Sequence, residues 1–108
     1  MSFLNSRFID SDNELSTFTN ALALPARVTI IRFITANGNT ITPEDFDRIA
    51  LAPETVNEHV LELKSVGILN VEKRNNSLTY SIDQSLFNQM ANQYATLIDS
   101  INSLRASL

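Results

Sequence analysis

The chain has 108 residues, of which 44% are hydrophobic and 19% charged, as in an ordinary globular protein with one domain spanning residues 1–108. Its net charge of −4 gives no general attraction to nucleic acid or to anionic membranes. With no cysteine, one histidine and two glycines, the chain lacks the residues for thiolate sites, most zinc sites and phosphate-binding glycine loops, so we predict no enzyme, no cofactor and no metal.

The first third of the chain is predicted to be helical after a short arm. Residues 1–10 are expected to form that arm, packed on a neighbouring subunit. Ser11 and Glu14 have the spacing of a capping box and predict a helix over 12–23. The next segment is densely apolar and predicts a second, central helix over 25–36. No apolar run approaches the length of a membrane span, so we expect a cytoplasmic protein.

The middle of the chain, residues 43–67, has the pattern of a helix-turn-helix. Thr42 is a suitable cap for a first helix over 43–51, and a second helix is predicted over 53–66. His59 lies at the edge of the apolar stripe of the second helix and is interpreted as a core or capping histidine. That stripe has the spacing of one buried face and comprises Val56, Val60, Leu63 and Val66.

A β-hairpin and a long helix are predicted to complete the chain. Alternating residues predict strands over 68–74 and 78–82, which together form a wing over 68–82. Asp83 is expected to cap a helix over 84–106. The apolar residues of this helix follow steps of three and four, as in helices that pair, and exceed what one small core needs. We therefore expect the chain to form a homodimer through this helix.

The order of these elements resembles the arsenic-repressor (ArsR-type) family of winged-helix transcriptional regulators. Three stretches support the resemblance: residues 21–31 (ALALPARVTII), residues 55–69 with the recognition helix and its exit, and residues 73–82 with the wing and its return strand. The likeness covers about residues 15–100. It implies a mainly α fold with a small β-hairpin, a winged helix-turn-helix. It also implies a homodimer that pairs through its terminal helices and binds double-stranded DNA in successive major grooves.

The resemblance also implies which residues bind. The residues expected to contact DNA are Thr42, Pro53, Glu54, Thr55, Asn57, Glu58, Leu61, Lys64, Lys73, Arg74, Asn75 and Asn76. The residues expected to form the dimer interface are Leu15, Phe18, Leu22, Phe87, Met90, Tyr94, Leu97, Ile98, Ile101 and Leu104.

Two features depart from the family pattern. The segments 43–51 and 84–106, where many members hold a metal, contain no cysteine and no histidine, so any regulator here is metal-independent. The outward side of the predicted recognition helix is acidic, with Glu58 where relatives commonly place a basic residue. Because Lys and Arg contacts to phosphate supply most of the affinity for DNA, this face predicts weaker or redirected binding.

Two functions therefore remain open. One is a dimeric, repressor-like regulator with Arg48, Lys64, Lys73 and Arg74 available to phosphates. The other is a protein-interaction module that kept the winged-helix fold and uses the acidic side of the recognition helix. No feature of the sequence indicates which signal the protein would sense. A small ligand of unidentified kind would have to enter a gap between the first, second and last helices.

Overall fold

The computed structural model describes residues 8–106 and contains four α-helices, one 3-10 helix and a two-stranded antiparallel sheet in that range. The predicted winged helix-turn-helix fold is confirmed. In chain order the elements are α1 (Asp10–Ala21), α2 (Pro25–Ala36), the 3-10 helix (Pro43–Arg48), α3 (Pro53–Ser65), β1 (Leu69–Arg74), β2 (Ser77–Ile82) and α4 (Gln84–Ala106).

The start of α1 differs from the prediction. Ser11 lies inside the helix, which begins at Asp10, and the preceding Ile9 makes no side-chain capping bond. The predicted capping box of Ser11 and Glu14 is therefore wrong. Asp10 and Asp12 fall in the first turn, where their negative charge is favourable beside the helix N-terminus, so the helix can begin earlier without a capping side chain. Of the predicted arm, residues 1–7 lie outside the described residues.

The first helix of the helix-turn-helix is a 3-10 helix that ends at Arg48, three residues before the predicted end at residue 51. Its last bond runs from the N–H of Ile49 to the carbonyl of Phe46 at 3.0 Å, after which Ile49 is extended. Thr42 is the N-cap residue, as predicted, and the Asp45 carboxylate accepts the capping bonds. The backbone N–H of Thr42 donates to Asp45 Oδ2 at 2.8 Å, and the Thr42 hydroxyl donates to the same oxygen at 3.3 Å.

A glycine turn ends α3 and redirects the chain into the wing. Gly67 has a φ of +84°, and its N–H donates to the carbonyl of Lys64 at 3.1 Å. The N–H of Ile68 donates to the carbonyl of Leu63 at 3.0 Å. This pair of bonds is the Schellman arrangement, which satisfies the last carbonyls of a helix.

Replacing Gly67 by alanine is expected to destabilise the protein by about 1–2 kcal/mol, because a Cβ disfavours a left-handed backbone. Space is not the cause, since the added Cβ would lie 4.0 Å from Cδ2 of Leu86. Urea denaturation measures the change. Gly67→Asn is the control. It should lose less stability than Gly67→Ala because asparagine tolerates this conformation. Equal losses in the two variants would contradict the assignment to backbone strain.

The wing is a two-residue hairpin with one added bridge. β1 and β2 pair in register from Leu69 opposite Ile82 to Arg74 opposite Ser77. Asn75 and Asn76 form the turn, with φ values of +49° and +67°. Positive φ at both positions is typical of the type I′ turn that suits the twist of a hairpin. The predicted strands, 68–74 and 78–82, leave three residues for the turn, one more than the two in the structure.

The core lies between α2, α3 and the wing. Ile30 and Ile34 of α2 have no exposed surface, as predicted for a central helix, and Leu63 of α3 is also fully buried. Ile41 extends the sheet by exchanging two backbone hydrogen bonds with Tyr80. The core also includes Phe18, Ala21, Ile49, Val56, Val60, Ile68, Leu69, Ile82 and Met90.

Candidate nucleic-acid interface

The two sides of α3 differ in burial as the sequence predicts. The relative exposure of Val56, Val60 and Leu63 is 3%, 7% and 0%. The opposite side faces solvent. Among the residues expected to contact DNA, Thr55 is half-buried, while Pro53, Glu54, Asn57, Glu58, Leu61 and Lys64 are exposed.

A polar contact ties this helix to α2. Arg27 Nε donates to Nδ1 of His59 at 3.1 Å, and another Arg27 nitrogen donates to the carbonyl of Ala21 at 3.2 Å. His59 is half-buried and is neither a core nor a capping residue, contrary to the interpretation from the sequence. It is an acceptor between two helices. The contact joins residues 32 positions apart, and no local pattern in the sequence reveals it.

The wing presents its charges beside the turn. Lys73 and Arg74 end β1 and are exposed, and Arg74 lies 3.2 Å from Glu72 in an ion pair that is open to solvent. Such exposed pairs contribute little to stability and leave the arginine free to exchange partners. Asn76 and the predicted contact residue Thr42 line one shallow surface pocket, so the start of the 3-10 helix lies close to the tip of the wing.

Arg48 makes three contacts that the sequence does not indicate. One of its nitrogens donates to Asn37 at 3.1 Å and lies 3.3 Å from Asp45, while its guanidinium carbon lies 5.4 Å from the centre of the Phe33 ring. These contacts orient the guanidinium, while the Arg48 side chain remains 60% exposed. Lys64, Lys73 and Arg74 are then the three cations on the side of α3 and the wing.

In the described part of the chain, the glutamates on the outer side of α3 are not paired with cations. Glu54, Glu58 and Glu62 form no ion pair with any residue in the range 8–106. Leu61 lies among them and is 66% exposed, which is high for a leucine on an amphipathic helix. The face therefore combines uncompensated negative charge with one apolar contact point.

The carboxylate of Asp45 caps the 3-10 helix and titrates below its ordinary range. The hydrogen bond from the backbone N–H of Thr42 is the main cause that lowers the pKa of Asp45 below 3.8, with smaller contributions from the Thr42 hydroxyl and Arg48. Desolvation acts in the opposite direction. Because the folded pKa is depressed, the stabilisation is complete above the unfolded value and is lost as pH falls through the folded value.

Asp45→Asn is therefore expected to be less stable than the wild type at neutral pH. The difference between the two should shrink as pH falls below 3.8, where the wild-type carboxylate also becomes protonated. Urea denaturation over a series of pH values measures this. Thr42→Val keeps the backbone N–H and should retain most of the pH dependence. A difference that is constant with pH would contradict the capping role.

The residues expected to form the dimer interface fall into three groups by burial. Phe18 and Met90 lie in the core of the chain itself, with 5% and 2% exposure, so they offer no surface to a partner. Leu15, Leu22, Phe87 and Tyr94 pack against that core and are partly buried. The outer part of α4 is exposed, with Leu97, Ile98, Ile101 and Leu104 at 51%, 53%, 57% and 69%.

The described residues contain no cluster of three or more His, Cys, Asp or Glu side chains able to hold a metal ion. Over the same residues, no helix is both long and apolar enough to cross a membrane.

The order of its helices and strands places the protein in the class of winged helix-turn-helix proteins. No family model and no curated protein sequence matches the chain. Solved structures do match its fold. An ArsR-like transcriptional regulator from Rhodococcus sp. RHA1 superimposes with a TM-score of 0.79 at 15% sequence identity, covering 92% of each chain.

Two further structures show the same architecture. HlyU from Vibrio cholerae N16961 gives a TM-score of 0.62 at 15% identity, covering 82% of this chain and 97% of its own. A homodimeric winged helix-turn-helix DNA-binding domain from Mycobacterium bovis gives 0.64 at 15% identity, covering 95% of both chains. At these identities the likeness establishes the shared fold.

Proposed function

We propose that the protein is a dimeric, metal-independent transcriptional regulator of the ArsR type that binds double-stranded DNA. The observation that carries this proposal is the exposed side of α3, beside a wing that presents Lys73 and Arg74. In a winged helix-turn-helix, the second helix of the motif enters the major groove by its N-terminal residues. Thr55 and Asn57 occupy that end and would contact base edges or phosphates.

The acidic residues of α3 limit the proposed affinity without excluding it. A glutamate can accept a hydrogen bond from the amino group of cytosine in the major groove, so Glu54 or Glu58 can read a base. Lys64, Lys73 and Arg74 would supply the phosphate contacts, six in a dimer. Six contacts give an expected slope of about −5 for the logarithm of affinity against the logarithm of salt concentration.

Fluorescence anisotropy with the DNA upstream of the protein's own gene tests the proposal. Affinity is expected to fall about 10³-fold between about 50 and 200 mM salt. An unrelated duplex of equal length is the control and should bind more weakly with a similar salt slope. Absence of binding to both duplexes at the lower salt concentration would sink the regulator proposal.

Glu58→Arg probes the contact directly. If this position meets phosphate, reversing its charge in both protomers should raise affinity for the unrelated duplex by about tenfold, through added counterion release. Asp99→Arg makes the same change on the exposed surface of α4 and is the control for net charge. Equal gains in the two variants would show that Glu58 does not face DNA.

A second function is favoured by the exposure of Leu61 among uncompensated glutamates. In it, the acidic side of α3 binds a protein with a complementary basic surface, with Leu61 as the central apolar contact. Absence of DNA binding at low salt, together with dimerisation, would favour this function over the regulator.

A further inference from the structure

A cleft of about 390 Å³ lies between the 3-10 helix, α3 and the wing. This cleft is not the gap between the first, second and last helices, which a small ligand was expected to enter. Val56 and Val60 of α3 line its floor with the small part of their surface that stays exposed, 3% and 7%. The volume is at the lower end of the range for ligand pockets, about 300–1,000 Å³, which suits a fragment-sized molecule and not a peptide.

Two aromatic rings form one wall of this cleft. Phe46 of the 3-10 helix and Tyr80 of β2 both line it, with ring centres 5.7 Å apart and planes inclined by 47°. Both side chains are half-buried, so each ring presents part of its surface to the cleft. Aromatic faces carry partial negative charge and attract cations within about 6 Å of the ring centre.

The polar groups of the cleft also favour a cation. Asp47 contributes a carboxylate and Asn57 an amide, and neither forms a side-chain hydrogen bond or an ion pair with another residue in the range 8–106. Among residues 8–106, no lysine or arginine lines the cleft. An anion would meet the Asp47 carboxylate without a compensating charge. Asp47 and Asn57 are exposed to water, and a neutral molecule would bring no charge to pair with the carboxylate.

We propose that this cleft binds a small organic cation, in which an amine is attached to an aromatic or branched apolar body. The apolar body rests on Val56 and Val60 beside the two rings, and the ammonium group lies between the ring faces and the Asp47 carboxylate. Asn57 accepts a further hydrogen bond from the ammonium through its amide oxygen. This site extends beyond the proposed function. It shares Pro53 and Asn57 with the proposed DNA-contacting surface, so its test is made without DNA.

Titration of the ¹⁵N-labelled full chain with benzylammonium tests the site by NMR. The backbone amides of Phe46, Val56, Asn57 and Tyr80 are expected to shift saturably, with a Kd of about 1 mM for so small a probe. Benzyl alcohol and benzoate have nearly the same shape with no charge or a negative charge, and both should bind more weakly. No DNA is present, so failure here is distinct from failure of the DNA-binding proposal.

A pair of variants assigns the charge. Asp47→Asn keeps the shape of the side chain and is expected to raise the Kd for benzylammonium about three- to tenfold. Glu44→Gln removes an equal charge from the same 3-10 helix but outside this cleft, and should leave the Kd unchanged. Thermal unfolding verifies that both variants are folded. The proposal is overturned by absent saturation, by equal binding of benzyl alcohol, or by equal losses in the two variants.

Discussion

Replacing Lys73 and Arg74 by glutamine is expected to lower the affinity for duplex DNA by about 10²- to 10³-fold near 100 mM salt. These residues end β1 beside the turn of the wing, and both are exposed. In a dimer the change removes four of the six proposed phosphate contacts. Wherever a contact is lost, the counterions stay on the DNA. The slope of the logarithm of affinity against the logarithm of salt concentration should therefore become less steep by about 3–4. Anisotropy titrations at several salt concentrations measure both quantities.

Arg32→Gln is the control for this variant, and it removes one charge per chain where the wing variant removes two. Arg32 is exposed on α2, outside the surface formed by α3 and the wing. Its removal changes the net charge without removing a proposed contact, so screening should limit the effect to about threefold or less. A similar loss in Arg32→Gln and in the wing variant would indicate that net charge alone governs binding. A wing variant with an unchanged salt slope would show that the wing does not touch DNA.

Replacing Leu97 and Ile101 by aspartate is expected to weaken dimerisation on the order of 10³-fold or more, since uncompensated carboxylates are costly in an apolar interface. Both positions lie on the exposed apolar side of α4, together with Ile98 and Leu104. Sedimentation at micromolar concentration should then give the mass of one chain instead of two. DNA affinity should fall with it, because a monomer reaches one half-site only.

Asn92→Asp with Thr96→Asp is the control for the dimer variant. It adds the same charge at the same spacing of four residues on the polar side of α4, where both positions are exposed. The control should keep the dimeric mass. A dimer that persists in the Leu97 and Ile101 variant would contradict the use of this face. The cores of both variants are untouched, so unfolding is not expected to confuse the result.

Much of the fold follows from residues that mark the ends of elements. Pro53 begins α3, and Gly67 ends it with a positive φ. Asp83 caps α4 through a bond to the N–H of Leu86 at 3.0 Å, as predicted. These residues act through local backbone geometry, which the sequence reveals directly. The length of the 3-10 helix was not predictable, because a short apolar pattern does not separate it from an α-helix.

The sites were less predictable because they depend on contacts between distant segments. The pattern of α4 identified its apolar residues but not whether they pack on the protein's own core or on a partner. Met90 faces the protein's own core, while Leu97 in the same seam is 51% exposed. Likewise, the sequence does not reveal that Arg48 contacts Asn37 and Phe33. Periodicity shows which face of a helix a side chain lies on, whereas the tertiary fold determines which residues that face contacts.

The hairpin turn restricts how this wing can change during evolution. Asn75 and Asn76 both hold a left-handed backbone, which asparagine and glycine adopt far more readily than lysine or arginine. A basic substitution in the turn would therefore add positive charge only with a loss of stability. Under the proposed function, mutational paths toward tighter DNA binding are directed away from the tip, to the strand ends on either side and to the glutamates of α3.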